Sequence, residues 1–203
     1  MNTHCKRNPR PSGEGFFKTS IWMAFVIGGL FLIVGYWSAM GGEEGMGERL
    51  IGSAARSEAM PVANDLYTKE CGACHLAYPP GLLPARSWKK LMGGLSDHFG
   101  DNAELAPEDQ RAVTDFLVKN AADRSGQKRS AKVVRSLKDG EAPLRITEVP
   151  YIVRKHHEIP SRLIQGNPQV KSLSRCNACH TRAEAGSFSE HDVSIPGYGA
   201  WDD

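Results

Sequence analysis

The sequence predicts an all-α chain: a small helical domain with long irregular loops, preceded by one N-terminal transmembrane helix. Three observations carry that prediction. Apolar residues recur at three- and four-residue steps between stretches rich in Gly and Pro, and no alternating strand pattern surrounds the cysteines. Residues 21–40 form a run of twenty residues without a charge. A pentapeptide of the form C-x-Ala-C-H occurs twice, as Cys71-Gly72-Ala73-Cys74-His75 and as Cys176-Asn177-Ala178-Cys179-His180.

Residues 1–19 are polar and basic, with Pro9 and Pro11, and are expected to be a cytoplasmic tail. The anchor follows at residues 20–40. Twenty helical residues cover roughly 30 Å, the thickness of a bilayer's hydrocarbon core. Trp22 near one end and the Tyr36-Trp37 pair near the other suit the two interfaces. Lys6, Arg7, Arg10 and Lys18 precede the run and Glu43-Glu44 follow it, which predicts a single pass through a bacterial inner membrane with the C-terminal part in the periplasm. The alternative is a signal peptide with a small-residue site at Ala39-Met40-Gly41, although signal-peptide apolar cores usually run to only about 7–15 residues. In both cases the domain is exported.

The formal net charge of +2 hides an asymmetry. Four of the 25 basic and one of the 23 acidic side chains lie in residues 1–42, leaving 21 basic and 22 acidic beyond them. The basic excess is thus a topology signal, and no nucleic-acid footprint is present. Cys5, the one cysteine of five outside the pentapeptides, falls on the cytoplasmic side, where a reduced thiol is expected.

Residues 41–60, rich in Gly, Glu, Ser and Ala, are expected to be a linker, and residues 61–203 the folded domain. A helix should begin near Pro61 and run through Ala63, Leu66 and Tyr67 into Cys71, ended by the irregular Tyr78-Pro79-Pro80-Gly81. Trp88, Leu91, Leu95 and His98 fall at three- and four-residue steps, which predicts one helix face carrying all four, with Met92 and Phe99 alongside. After a loop over 101–106, Pro107 should start a helix with Val113, Phe116 and Leu117 inward, ending near Ala121-Ala122. From Asp123 to Asp139, six Lys and Arg are interleaved with Ser, Gln and Gly. The plain expectation is a solvated linker; the sharper one is a docking patch for an acidic redox partner or anionic headgroups. His156 and His157 lie about 100° apart on a helix, and His156, one turn beyond Ile152, should face inward. Asn167-Pro168 resembles a helix start, with Val170 and Leu173 leading to Cys176. The tail from Thr181 contains His191, expected to be solvated.

C-x-x-C-H has a specific chemistry. Two thiols two residues apart, Cys71 with Cys74 and Cys176 with Cys179, can reach both vinyl groups on one edge of a porphyrin as thioethers. The adjacent imidazole of His75 or His180 is then carried under the ring to the iron. A zinc ribbon normally brings its second Cys pair within about 15–20 residues, and a thioredoxin-like pair needs a strand–helix setting; neither pattern occurs here. The expected cofactors are two covalently bound haem c groups. For the first iron the candidate sixth ligand is His98, with Met92 as competitor, although Met is a common core filler. For the second it is His156, with His157 as the alternative and His191 a more distant one.

The pattern resembles the dihaem cytochrome c family of bacterial exported electron carriers. The resemblance rests on the two pentapeptides, on Trp88, Leu91 and Leu95, and on His98-Phe99-Gly100. Phe116-Leu117 with Asn120-Ala121, Arg145-Ile146-Thr147, His156 with Ile159-Pro160, and Ile195-Pro196 complete it, over roughly residues 62–197. It implies a helical fold and two closely spaced low-spin haems, with His75 and His98 on the first iron and His180 and His156 on the second. It also implies electron transfer and not catalysis, because filled axial positions leave the iron nowhere to bind substrate. Partners implied by the likeness are a high-spin monohaem c cytochrome and b-type membrane cytochromes. Two other functions stay open at the level of residues. One is a haem enzyme in which a five-coordinate iron acts on oxygen, peroxide or a small oxyanion; the other is an obligate subunit of a membrane redox complex.

Overall fold

The computed structural model describes residues 62–201, all of which belong to one compact unit. The expected cytoplasmic tail, anchor and linker lie outside the described residues. Within them no helix is long and apolar enough to cross a membrane.

Six helices carry the fold: α1 (Asp65–Cys71), α2 (Ala85–Met92), α3 (Pro107–Lys119), α4 (Lys128–Ser136), α5 (Pro150–His156) and α6 (Ser161–Ile164). A 3₁₀ turn lies between each successive pair of the first five helices, three more follow α6, and a two-stranded antiparallel hairpin, β1 (Ser194–Ile195) and β2 (Gly199–Ala200), ends the described elements. The helical class is as expected, and the hairpin was not foreseen. One main core holds Tyr67, Trp88, Met92, Leu95, Val113, Leu117, Val133, Val149 and Tyr151, and Ile146 packs against both this core and a smaller cluster of Leu82, Ala183 and Phe188.

The first helix begins where the side chain of Asn64 accepts the Tyr67 amide at 2.8 Å, a local N-cap. Helix α2 has no such local cap, because Pro84 precedes it. Its ends are tied by distant residues instead: Asp123 Oδ1 accepts the Ala85 amide at 2.7 Å, and Gln110 Nε2 donates to the Met92 carbonyl at 2.6 Å. The indole of Trp88 donates to the Pro80 carbonyl at 2.8 Å, so the irregular proline segment is fastened to the core.

Three expectations are corrected. The stripe from Trp88 to His98 does not lie on one helix. Helix α2 stops at Met92, Gly93 and Gly94 follow, and a 3₁₀ turn at Leu95–Asp97 delivers His98 into a tight turn. Two successive glycines cost about 1 kcal/mol each relative to alanine in a helix, enough to end one this short. Leu95 remains buried even so. The segment expected as a solvated linker is instead largely helix α4, in which Val133 and Ser130 are buried. Ser130 sits so close to Gly81 that a Cβ there would lie 2.6 Å from the serine Oγ. Finally, no helix starts at Asn167. Its side chain accepts the Gln169 amide at 3.0 Å and donates to the Pro196 carbonyl at 2.8 Å, making a turn, and Lys171 at φ +66° diverts the chain.

Candidate functional site

Four imidazoles are brought together in two pairs. His75 follows α1 at the end of the first pentapeptide, and His98 approaches it from the turn beyond α2. Their ring centroids are 6.2 Å apart with planes inclined by 22°. His156 ends α5 and His180 ends the second pentapeptide; their centroids are 6.1 Å apart and their planes inclined by 69°. A metal–imidazole bond of about 2 Å, plus about 1 Å from ring nitrogen to ring centre, puts two imidazoles on opposite sides of one ion at about 6 Å. Both separations match that span.

Hydrogen bonds prepare these rings for ligation. His75 Nδ1 lies 2.6 Å from the Leu76 carbonyl oxygen, and His156 Nδ1 lies 2.8 Å from that of Ile152. A proton held on Nδ1 by such a bond leaves the Nε2 lone pair as the ligating site. His180 Nδ1 is buried without a hydrogen-bond partner among the described residues. Burial, and then the neighbouring His156 and Arg129, push the pKa of His180 down to about 4; burial and then His75 lower that of His98. Both rings are therefore neutral at pH 7, the state that binds a metal.

The turn at His98 is tightly built. The His98 amide donates to the Asp101 carbonyl at 2.7 Å, Asp97 Oδ1 accepts the Gly100 amide at 3.0 Å, and Phe99 adopts φ +60°. Gly100, at φ +99°, supplies a backbone that other residues rarely adopt. The guanidinium of Arg145 lies 3.9 Å over the Phe99 ring.

Around the second pair the chain forms an apolar cleft. Leu82, Ile146, Ile152, Leu163 and Val170 line it, together with Cys176, Cys179 and both histidines. Phe188 sits 5.2 Å from the His180 ring, centroid to centroid. Arg129 and Arg175 also line the cleft, so a flat apolar ring carrying carboxylates finds both kinds of partner there. The C-terminal tail pairs with this motif: the Ser194 amide donates to the Cys179 carbonyl at 2.9 Å and the Thr181 amide to that of Asp192 at 3.2 Å. Burial raises the Cys176 thiol to about 11.

The remaining candidates lie elsewhere. Met92 is buried in the main core with Trp88 and Val113. His157, one step round α5 from His156, is exposed, with Nδ1 2.8 Å from the Arg154 carbonyl oxygen, and His191 is exposed as well. Cys176 and Cys179 are unbridged thiols, half-buried beside the second histidine pair. Three residues at these sites carry no motif: Tyr78, stacked on His75 with centroids 4.9 Å apart, and Arg129 and Phe188 beside the second pair. The position of Tyr78, three residues beyond His75, is the one sequence signal that could have found it.

A family model described as dihaem cytochrome c matches residues 67–188. The fold is similar to a crystal structure of a dihaem cytochrome c from Shewanella baltica OS155, with 43% identity, a TM-score of 0.57, and coverage of 68% of this chain and 98% of that one. It is also similar to a dihaem cytochrome c from Rhodobacter sphaeroides, with 45% identity, a TM-score of 0.58, and coverage of 64% and 100%. A search of curated proteins finds no match.

Proposed function

The chain belongs to the dihaem cytochrome c family and carries two covalently bound c-type haems, and from that premise we propose that it transfers electrons through two irons, each ligated by two histidines. His75 and His98 would hold the first iron and His180 and His156 the second, with thioethers at Cys71, Cys74, Cys176 and Cys179. The observation that carries this reading is the pair of centroid separations, 6.2 and 6.1 Å, each the span of two imidazoles on opposite sides of one ion.

Haem supplies an iron that takes up and releases one electron at a time. The protein's part is to close off the metal and limit movement when the charge changes. His98 is set in a hydrogen-bonded turn and His156 in the last turn of a helix, so neither ring swings freely. With imidazole and not methionine as the sixth ligand, both potentials would lie below those of His/Met cytochromes. The basic N-terminal segment and its apolar run support a tether at the periplasmic face of a bacterial inner membrane. There the partners would be other redox proteins, such as a high-spin monohaem c cytochrome or a b-type membrane cytochrome.

Electron paramagnetic resonance of the oxidised protein, combined with carbon monoxide addition after reduction, tests the ligand set. Two low-spin signals and no carbon monoxide adduct are expected. A stoichiometric high-spin signal, or prompt binding of the gas, would replace this reading with a haem enzyme.

A further inference from the structure

Helices α4 and α5 enclose a groove lined by Lys132 and Arg135 from the first helix and Arg154 and Lys155 from the second. We propose that this groove is the docking surface for an acidic face of a redox protein, which exchanges electrons with the second haem. The proposal rests on the electron-transfer reading above and adds where the partner sits.

Several independent features point to an anionic occupant. All four cations are exposed. Among the described residues Lys132, Arg135 and Arg154 form no ion pair; Lys155 pairs with Glu190. Residues 43–203 taken whole, groove included, carry 21 basic and 22 acidic side chains, so the positive field is local to this groove and does not reflect overall charge. Its floor is fixed, because the Tyr151 amide donates to Ser136 Oγ at 3.2 Å and joins the two helices. Lys132 also lies 5.9 Å from the centre of the Tyr151 ring.

Location decides what kind of anion is favoured. Lys155 lines both this groove and the second cleft, and the next residue is His156. A body seated on the groove is one residue from the candidate ligand of the second iron. That proximity serves a protein exchanging electrons and does nothing for a lipid headgroup. Val153, on the same helix and 49% exposed, offers the apolar contact that such encounters combine with charge. Charge of this kind acts mainly on the association rate and is screened by salt.

The test uses full-length holoprotein with Lys132→Gln, Arg135→Gln and Arg154→Gln combined, and as a charge-preserving control Lys132→Arg, Arg135→Lys and Arg154→Lys. Lys155 is left in place because of its pairing and its neighbour. Reduction by an acidic plant-type ferredoxin is followed by stopped flow at increasing salt. The expected result is a low-salt rate reduced about tenfold in the neutral variant, with a flattened salt dependence, and near-normal kinetics in the control. The haem spectra and dithionite reduction should be unchanged in both. Equal ferredoxin kinetics in the wild type and the neutral variant would overturn the proposal. So would an effect confined to partitioning onto phosphatidylserine vesicles, which would make the groove a lipid contact. If the wild type takes no electrons from dithionite or ferredoxin, the electron-transfer reading itself falls, and docking with it.

Discussion

The Tyr78 hydroxyl donates to the main-chain carbonyl of Ser174 at 2.5 Å, across 96 residues of sequence. The same phenol ring stacks on His75, with planes inclined by 22°. Ser174 is two residues before Cys176, so one side chain touches the first candidate iron ligand and the segment leading into the second pentapeptide. Its own main-chain carbonyl accepts the Tyr67 hydroxyl at 3.0 Å, which fixes it to the core from behind. The two haem sites are thus joined by a short, directed connection and not only by a shared backbone.

Substitutions at Tyr78 should separate its two contacts. Tyr78→Phe keeps the stack and removes the hydrogen bond, and a loss of about 1 kcal/mol in stability is expected, with the spectrum of the first haem unchanged. Tyr78→Leu removes both, freeing the His75 ring to turn, so the low-spin signal of the first haem should shift while that of the second stays. Thermal melts together with electron paramagnetic resonance of both variants check this. A spectrum in which Tyr78→Leu leaves the first signal untouched would show that the stack does not orient His75.

The two imidazole pairs differ in inclination, 22° against 69°, and that difference should be visible. Nearly parallel rings split the iron d orbitals unequally and give a rhombic low-spin spectrum, whereas strongly inclined rings leave two of them close in energy and give a more anisotropic one. Two distinct low-spin species in equal amounts are expected. His156→Ala should convert the more anisotropic species to high spin and open that iron to carbon monoxide. His157→Ala should change neither, because its ring faces solvent. Reversed behaviour of these two variants would exchange the assignment.

What was legible in the sequence follows from how local each signal is. The pentapeptides, the inward turn of His156 and the start of α3 at Pro107 depend on a few adjacent residues, and the structure has each of them. The path to His98 is not encoded by the apolar spacing, because a three- and four-residue step can continue across Gly93-Gly94 after the helix has ended, with Leu95 buried by a 3₁₀ turn instead. Helix α4 was hidden by its charges: Ser130, Val133 and Leu137 share one face, but six basic residues over 123–139 gave the segment the composition of a linker. Tyr78 and Arg129 act through partners 96 and 59 residues away, Ser174 and Phe188, and no local pattern encodes such contacts.

Arg129 supplies a test of charge at the second site. Its guanidinium donates to the Phe188 carbonyl at 3.0 Å, lines the second cleft, and lies close enough to His180 to lower that residue's pKa. A positive charge beside an iron favours the reduced state. Arg129→Leu should therefore lower the potential of the second haem and leave the first nearly unchanged; Arg129→Lys should restore most of the difference. A spectroelectrochemical titration resolves the two waves, and equal shifts in both would mean that the substitution disturbed the fold and not the local field.

Tyr67 allows a prediction of stability against pH. It is 2% exposed, and burial raises its pKa well above the ordinary value of 10.0. Between the unfolded and folded pKa values the native state binds more protons than the unfolded chain, so stability falls as pH rises. The Tyr67 contribution is therefore complete below pH 10 and is lost progressively above it. Tyr67→Phe removes this titration and also the hydrogen bond to Tyr78, so the variant should be about 1 kcal/mol less stable at neutral pH. Above pH 10 the gap between the two proteins should narrow and then reverse. Tyr78, whose pKa burial pushes up to about 12, titrates in both proteins, so its effect largely cancels in the difference. Melting curves taken from pH 7 upward decide the matter: a gap that stays constant across the alkaline range would mean that Tyr67 ionises as readily in the fold as outside it.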